Sequence, residues 1–143
     1  MTMTLVQANQ LIAGALESAR ERSANPLAVI VLDSGGHYVA FQREDGASLF
    51  RHGIAKAKAM GALGMGMDTR LLAQRAAKNP LFFTSVSAIT DGNLALSPGG
   101  ILIRNANKQL LGAVGISGDT ADIDESCAMA GIEAAGLYYG DQT

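Results

Sequence analysis

The sequence predicts an α+β fold, one antiparallel sheet with helices packed against it. Three observations carry that expectation. Two pairs of apolar runs, each joined by a short polar turn, read as β-hairpins. Runs with helical spacing stand before, between and after them. No repeat, low-complexity tract or linker divides the 143 residues, so residues 1–143 are expected to form one domain.

Thr4 and Gln7 have the spacing of a capping box, and Leu5, Ala8, Leu11, Ile12, Ala15, Leu16 and Ala19 follow at helical intervals. This first helix is expected to stop near Asn25-Pro26, since proline disfavours continuation. LAVIVLD, residues 27–33, is a continuous apolar run rich in branched side chains, the pattern of a strand covered on both faces. DSGG turns the chain into HYVAFQR, its antiparallel partner. Residues 47–64 read as a helix whose small residues, Ala55, Ala59 and Ala62, allow close approach by another element. Residues 71–77 read as a short helix ended by Asn79-Pro80.

LFFTSVSAI, residues 81–89, is expected to be a strand, and Leu94 to Leu96 a short edge segment before Pro98. ILIRN and QLLGAVGIS are two strands joined through Asn105-Ala106-Asn107-Lys108. Asp122 and Glu125 have cap-to-third-position spacing, and residues 123–139 form the last helix, closed by Gly140.

Composition narrows the partners. Hydrophobic residues make up 48% and charged residues 17%, so the chain can build a core without metal or disulfide staples. A formal charge of -2 provides no broad field for nucleic acid or an anionic membrane. Charged or polar groups interrupt every apolar run before it reaches membrane-spanning length. The amino end reads as an amphipathic helix rather than an export signal, so a cytoplasmic location is expected. The single cysteine, Cys127, excludes an internal disulfide framework.

Candidate functional residues each have a plain structural reading as well. His37 follows the Asp-Ser-Gly-Gly turn and could bind a transition metal or haem iron, or simply bond the turn. His52 reads as a polar-face residue, and Met60, Met65 and Met67 as core filling or contacts to a flat apolar ligand. Asp33 is a turn cap or a functional carboxylate. Gly115 and Gly118 flank the end of the last strand, and Pro98, Gly99 and Gly100 precede another. Their amides could receive an anion, and Arg104 could pair with a ligand acid group. Asp124 and Glu125 stand at a helix start, either as favourable charges there or as carboxylates facing a cleft. Adjacent helical residues do not share a face, so a converging acid–base pair is not expected.

The ordered series VLDSGGHYVAFQREDGA, IAKAKAMGA, SPGGILIR, LLGAVGISG and DESCAMAG resembles the GlcG/HbpS-like family, also called the haem-degrading family. The resemblance runs from the first helix to Gly140. It implies a profilin-like domain, an antiparallel sheet between helices, commonly assembled into homo-oligomers. It also implies haem binding or haem and iron handling. The family's histidine after the Asp-x-Gly-Gly turn is matched by His37, which the resemblance implies as an axial metal ligand. Its Pro-Gly-Gly loop is matched by Pro98, Gly99 and Gly100, and its late Asp-Glu pair by Asp124 and Glu125, in the neighbourhood of a pocket.

Three functions follow as expectations. One is a small haem- or tetrapyrrole-binding protein with His37 as the iron ligand. Another is an enzyme or accessory factor acting on a small organic acid. There Arg104 would hold the carboxylate, the Pro98–Gly100 and Gly115–Gly118 amides would stabilise negative charge, and Asp124 or Glu125 would move a proton. The third is a noncatalytic oligomeric scaffold, its small-residue helices forming subunit contacts.

Overall fold

A computed structural model describes residues 2–140. Helix α1 spans Leu5–Glu21, followed by strands β1 (Ala28–Asp33) and β2 (Tyr38–Arg43). Three helices come next: α2 (Arg51–Met65), α3 (Thr69–Lys78) and α4 (Pro80–Ile89). Strands β3 (Gly100–Arg104) and β4 (Leu110–Ser117) and helix α5 (Ala121–Ala134) complete the order. The strands form one antiparallel sheet in the order β2-β1-β4-β3, so β1 and β4 are interior and β2 and β3 are edges.

The continuous apolar run of β1 is buried on both faces. Val29 and Val31 point into a core shared with Leu11, Ile12, Cys127 and Ile132 of α1 and α5. Ala28, Ile30 and Leu32 point the other way, against Ala55, Ala59 and Ala62 of α2. The small face of α2 lets it lie very close to the sheet. A Cβ on Gly115 would overlap the Ala55 carbonyl, and one on Gly100 the Lys58 carbonyl. These two glycines are therefore packing residues of the helix–sheet contact.

The two hairpin loops are built alike. Asp33 Oδ1 accepts from the amides of Gly35 (2.9 Å) and His37 (3.0 Å). Asn105 Oδ1 accepts from those of Asn107 (2.9 Å) and Gln109 (3.0 Å). Each loop also places one residue at positive φ, Gly36 in the first and Lys108 in the second.

Several boundaries differ from expectation for identifiable reasons. Residues 81–89 form a helix, not a strand: Pro80 sits in its first turn, where its missing N–H costs nothing, so Asn79-Pro80 starts a helix as well as ending one. Leu94 to Leu96 form no strand. Helix α1 ends at Glu21, before Asn25-Pro26, because Ser23 takes a left-handed φ of 54° and Ala24 N–H returns to the Ala19 carbonyl. Helix α2 starts at Arg51 rather than Ala47. Helix α5 is capped by Thr120, whose side chain accepts from Ile123 N–H, rather than by Asp122. It ends at Ala134, with Gly136 (φ 71°) making the turn instead of Gly140, which frees Tyr138 to bridge to Arg104.

Candidate functional site

A cleft of about 560 Å³ opens at the β3 edge. That volume lies within the usual range of small-molecule sites. Its walls are the start of α3 (Asp68, Arg70, Leu71), β3 (Leu102, Arg104) and the inner side of α5 (Glu125, Met129). Edge strands leave unpaired backbone groups, and here side chains and the chain's own end take them up. Leu102 N–H donates to Asp68 Oδ1 at 2.9 Å. Arg104 N–H donates to the Tyr138 carbonyl and Tyr138 N–H to the Arg104 carbonyl, both at 2.9 Å.

Glu125 faces this cleft and accepts from Arg70 Nε at 3.0 Å through both carboxylate oxygens. Arg70 also pairs with Asp122, and these hydrogen bonds hold its guanidinium protonated above the ordinary arginine range. Arg104 is half-buried, and its side chain donates to the Lys108 carbonyl at 3.2 Å. Burial is the main influence on Asp68 and pushes its carboxyl up; the Leu102 amide and the Arg104 charge pull it partly back.

Asp124 points the opposite way from its neighbour. It is 1% exposed and sits 3.2 Å from Lys58 Nζ, which is 3% exposed. Lys58 also donates to the Ile116 carbonyl at 2.8 Å, and Asp124 Oδ1 accepts from Asp119 N–H at 2.9 Å. Burial drives the Asp124 carboxyl up and the Lys58 ammonium down, while their mutual attraction opposes both shifts. Asp124 and Glu125 thus diverge, one into the interior and one into the cleft.

The glycine-bearing loops surround that buried pair. A Cβ on Gly99 would come within 2.8 Å of Lys58 Nζ, and one on Gly118 would overlap the Pro26 carbonyl. Gly100 N–H already donates to Thr69 Oγ1 at 2.9 Å, and the Gly99 carbonyl accepts from Ile116 N–H at 3.1 Å. Of Pro98, Gly99, Gly100, Gly115 and Gly118, the first three glycines pack against α2, and Gly118 packs against Pro26 and Leu27. None of the five lines the β3-edge cleft.

His37 lies in the β1–β2 loop, at the other edge of the sheet. Its side chain is 80% exposed, and Nδ1 stands 3.1 Å from Asp33 Oδ1. Asp33 is held below the ordinary carboxylate range, chiefly by the His37 amide. An ionised carboxylate only accepts, so in the neutral ring Nδ1 carries the proton and Nε2 keeps a free lone pair. Met60 packs its sulfur against Gly36, and Lys56 Nζ lies 5.8 Å from the Tyr38 ring centroid. His52 instead bonds the Leu49 carbonyl at 2.7 Å. Cys127 is buried, and its thiol is pushed up by that burial. Among the described residues, no group of three or more His, Cys, Asp or Glu side chains could hold a metal ion. No described helix is long and apolar enough to cross a membrane.

Sequence reasoning missed Lys58, Asp68 and Arg70. Lys58 was visible in principle, because it falls on the Ala55–Ala62 stripe, where a buried lysine requires a partner. Asp68 stands immediately before α3, the usual place for a cap. Arg70 had no local signal, since its partners are more than 50 residues away.

Comparison with known proteins agrees with this architecture. The chain is similar to HbpS, at 27% identity with 93% of this chain and 89% of that chain covered and a TM-score of 0.80. It is similar to Klebsiella pneumoniae protein ORFY, at 25% identity over 95% and 92% of the two chains with a TM-score of 0.86. It shares its fold with PduOC, solved as a haem complex, at 23% identity over 100% of both chains with a TM-score of 0.87. Comparison with curated proteins finds no match. Residues 3–133 match the family model described as haem degrading protein HbpS-like. With the sheet order, the paired hairpin loops and that match taken together, the chain belongs to the HbpS-like family.

Proposed function

We propose that this protein binds haem through His37 and acts in haem or iron handling. One observation carries the reading. In both hairpin loops the side chain of the fourth residue after the Asx pairs with it: His37 Nδ1 stands 3.1 Å from Asp33 Oδ1, and Asn105 Nδ2 donates to Gln109 Oε1 at 2.7 Å. Building the loop uses only Nδ1 of the imidazole and needs no histidine, as Gln109 demonstrates. Among the described residues Nε2 has no partner, and the exposed ring is oriented by a carboxylate, the arrangement that strengthens a histidine as a metal ligand. Membership of a haem-associated family and the haem complex of a protein with the same fold support the choice of ligand.

The donor chemistry fits, since imidazole is a common axial ligand of haem iron. His37 would hold the group, with Asp33 fixing the ring. Tyr38 and Met60 offer adjoining apolar surface, and Lys56 a positive charge for a carboxylate side chain. Haem bound there would supply a redox-active iron centre.

The same proposal takes the protein to work in the cytoplasm as an assembly of identical subunits. Leu81 (83% exposed), Ile89 (80%) and Phe50 (74%) are large apolar side chains with little cover in the single chain. The unpaired Cys127 is compatible with a reducing compartment.

Haemin titration into the purified protein, followed by absorption, tests the reading. A saturable band at a fixed haem-to-subunit ratio is expected, with the band shifted or lost in His37→Ala. Unsaturable binding that the substitution leaves unchanged would contradict it.

A further inference from the structure

We propose that the β3-edge cleft is a second ligand site, which takes a monocarboxylic acid with an apolar body and a hydrogen-bond-donating substituent. This site is independent of His37, which stands at the opposite edge of the sheet. Its charges select the ligand. Arg70 is consumed by Glu125 and Asp122. Arg104 differs: among the described residues its side chain makes one hydrogen bond, to the Lys108 carbonyl, which leaves most of its donor fork for a carboxylate.

Asp68 provides the second contact. One of its oxygens is fixed by Leu102 N–H, and the other makes no hydrogen bond among the described residues. Asp68 and Arg104 both line the cleft, and the Arg104 charge acts on the Asp68 carboxyl. A ligand that gave its carboxylate to Arg104 could present an ammonium or hydroxyl hydrogen to Asp68. Leu71, Leu102 and Met129 would receive its apolar body.

The same charges disfavour other anions. Two arginines face Asp68, Glu125 and the adjoining Asp122, an excess of one negative charge. Phosphate and other polyanions would meet repulsion, and a single carboxylate accompanied by a donor meets the least. No histidine lines the cleft, which separates it from the haem reading.

Calorimetric titration of the full-length protein with L-phenylalanine, 3-phenyllactate, 3-phenylpropionate and inorganic phosphate tests the proposal. Saturable binding of phenylalanine or phenyllactate is expected, about tenfold tighter than phenylpropionate, whose donor is missing. Arg104→Gln should abolish binding of all three acids. Asp68→Asn keeps an acceptor for Leu102 N–H, so it should fold normally and lose the preference for the donor-bearing acids. His37→Ala should bind them as the wild type does. Failure of every acid to saturate, preference for phosphate, or unchanged binding in either cleft variant would overturn the proposal. The Asp68→Asn result decides the matter even if Arg104→Gln does not fold.

Discussion

Asp33 and Asn105 hold equivalent places in the two hairpin loops, and the difference between them is charge. Asp33 is depressed below the ordinary value of 3.8. A depressed carboxyl contributes stability that is present above its unfolded pKa and lost as pH falls through the folded one. Asp33→Asn keeps the acceptor geometry, as Asn105 shows, and removes the charge. Wild type should therefore be more stable than Asp33→Asn at neutral pH, with the difference vanishing as the pH falls below about 4. Melting temperatures of the two proteins across that range check it. Lys58 and Asp124 depend on each other in the interior. Lys58→Met strands a carboxylate in the interior and should cost about 3–5 kcal/mol. Adding Asp124→Leu should recover much of that loss, as measured by urea denaturation of the single and double variants.

Helix α2 shows what an element owes to small side chains. It approaches the sheet closely because Ala55 and Ala59 face Gly115, and a methyl group at Gly115 has only backbone to meet. Gly115→Ala should cost about 3 kcal/mol, the upper end of ordinary overpacking, because neither α2 nor the central strand can yield locally. Chemical denaturation measures this directly. The small-residue pattern of α2, the double burial of β1 and the first capping box were readable from spacing alone. Helix α4 was not. PLFFTSVSAI is rich in β-favouring residues, and its initial proline and packing against α3 favour helix instead. The end of α5 was hidden for a similar reason, since Tyr138 leaves the helix to cap an edge strand distant in sequence.

At the scale of the molecule, the sheet order separates two regions that the sequence left unconnected. The His37 loop joins edge strand β2, and the cleft borders edge strand β3, so two interior strands lie between them. At ordinary strand spacing that is roughly 14 Å. Arg104 and Glu125 could be nominated from local context, but their meeting with Asp68 and Arg70 depends on that order. The glycine loops pointed to the neighbourhood of the buried Lys58–Asp124 pair. Their functional reading as an anion site had no way to foresee that an internal carboxylate already lies there. The proposed assembly of identical subunits involves the whole surface of the chain. Leu81→Asp with Ile89→Asp should lower the molar mass measured by light scattering, while secondary structure is retained. An unchanged mass would contradict assembly through Leu81 and Ile89.

His37 is proposed to hold haem iron through its free nitrogen. The most direct measurement is a crystal structure of the haemin-loaded protein. Iron is expected on His37 Nε2, with Asp33 still on Nδ1. Iron held by any other side chain, above all with haem lying in the β3-edge cleft, would contradict it.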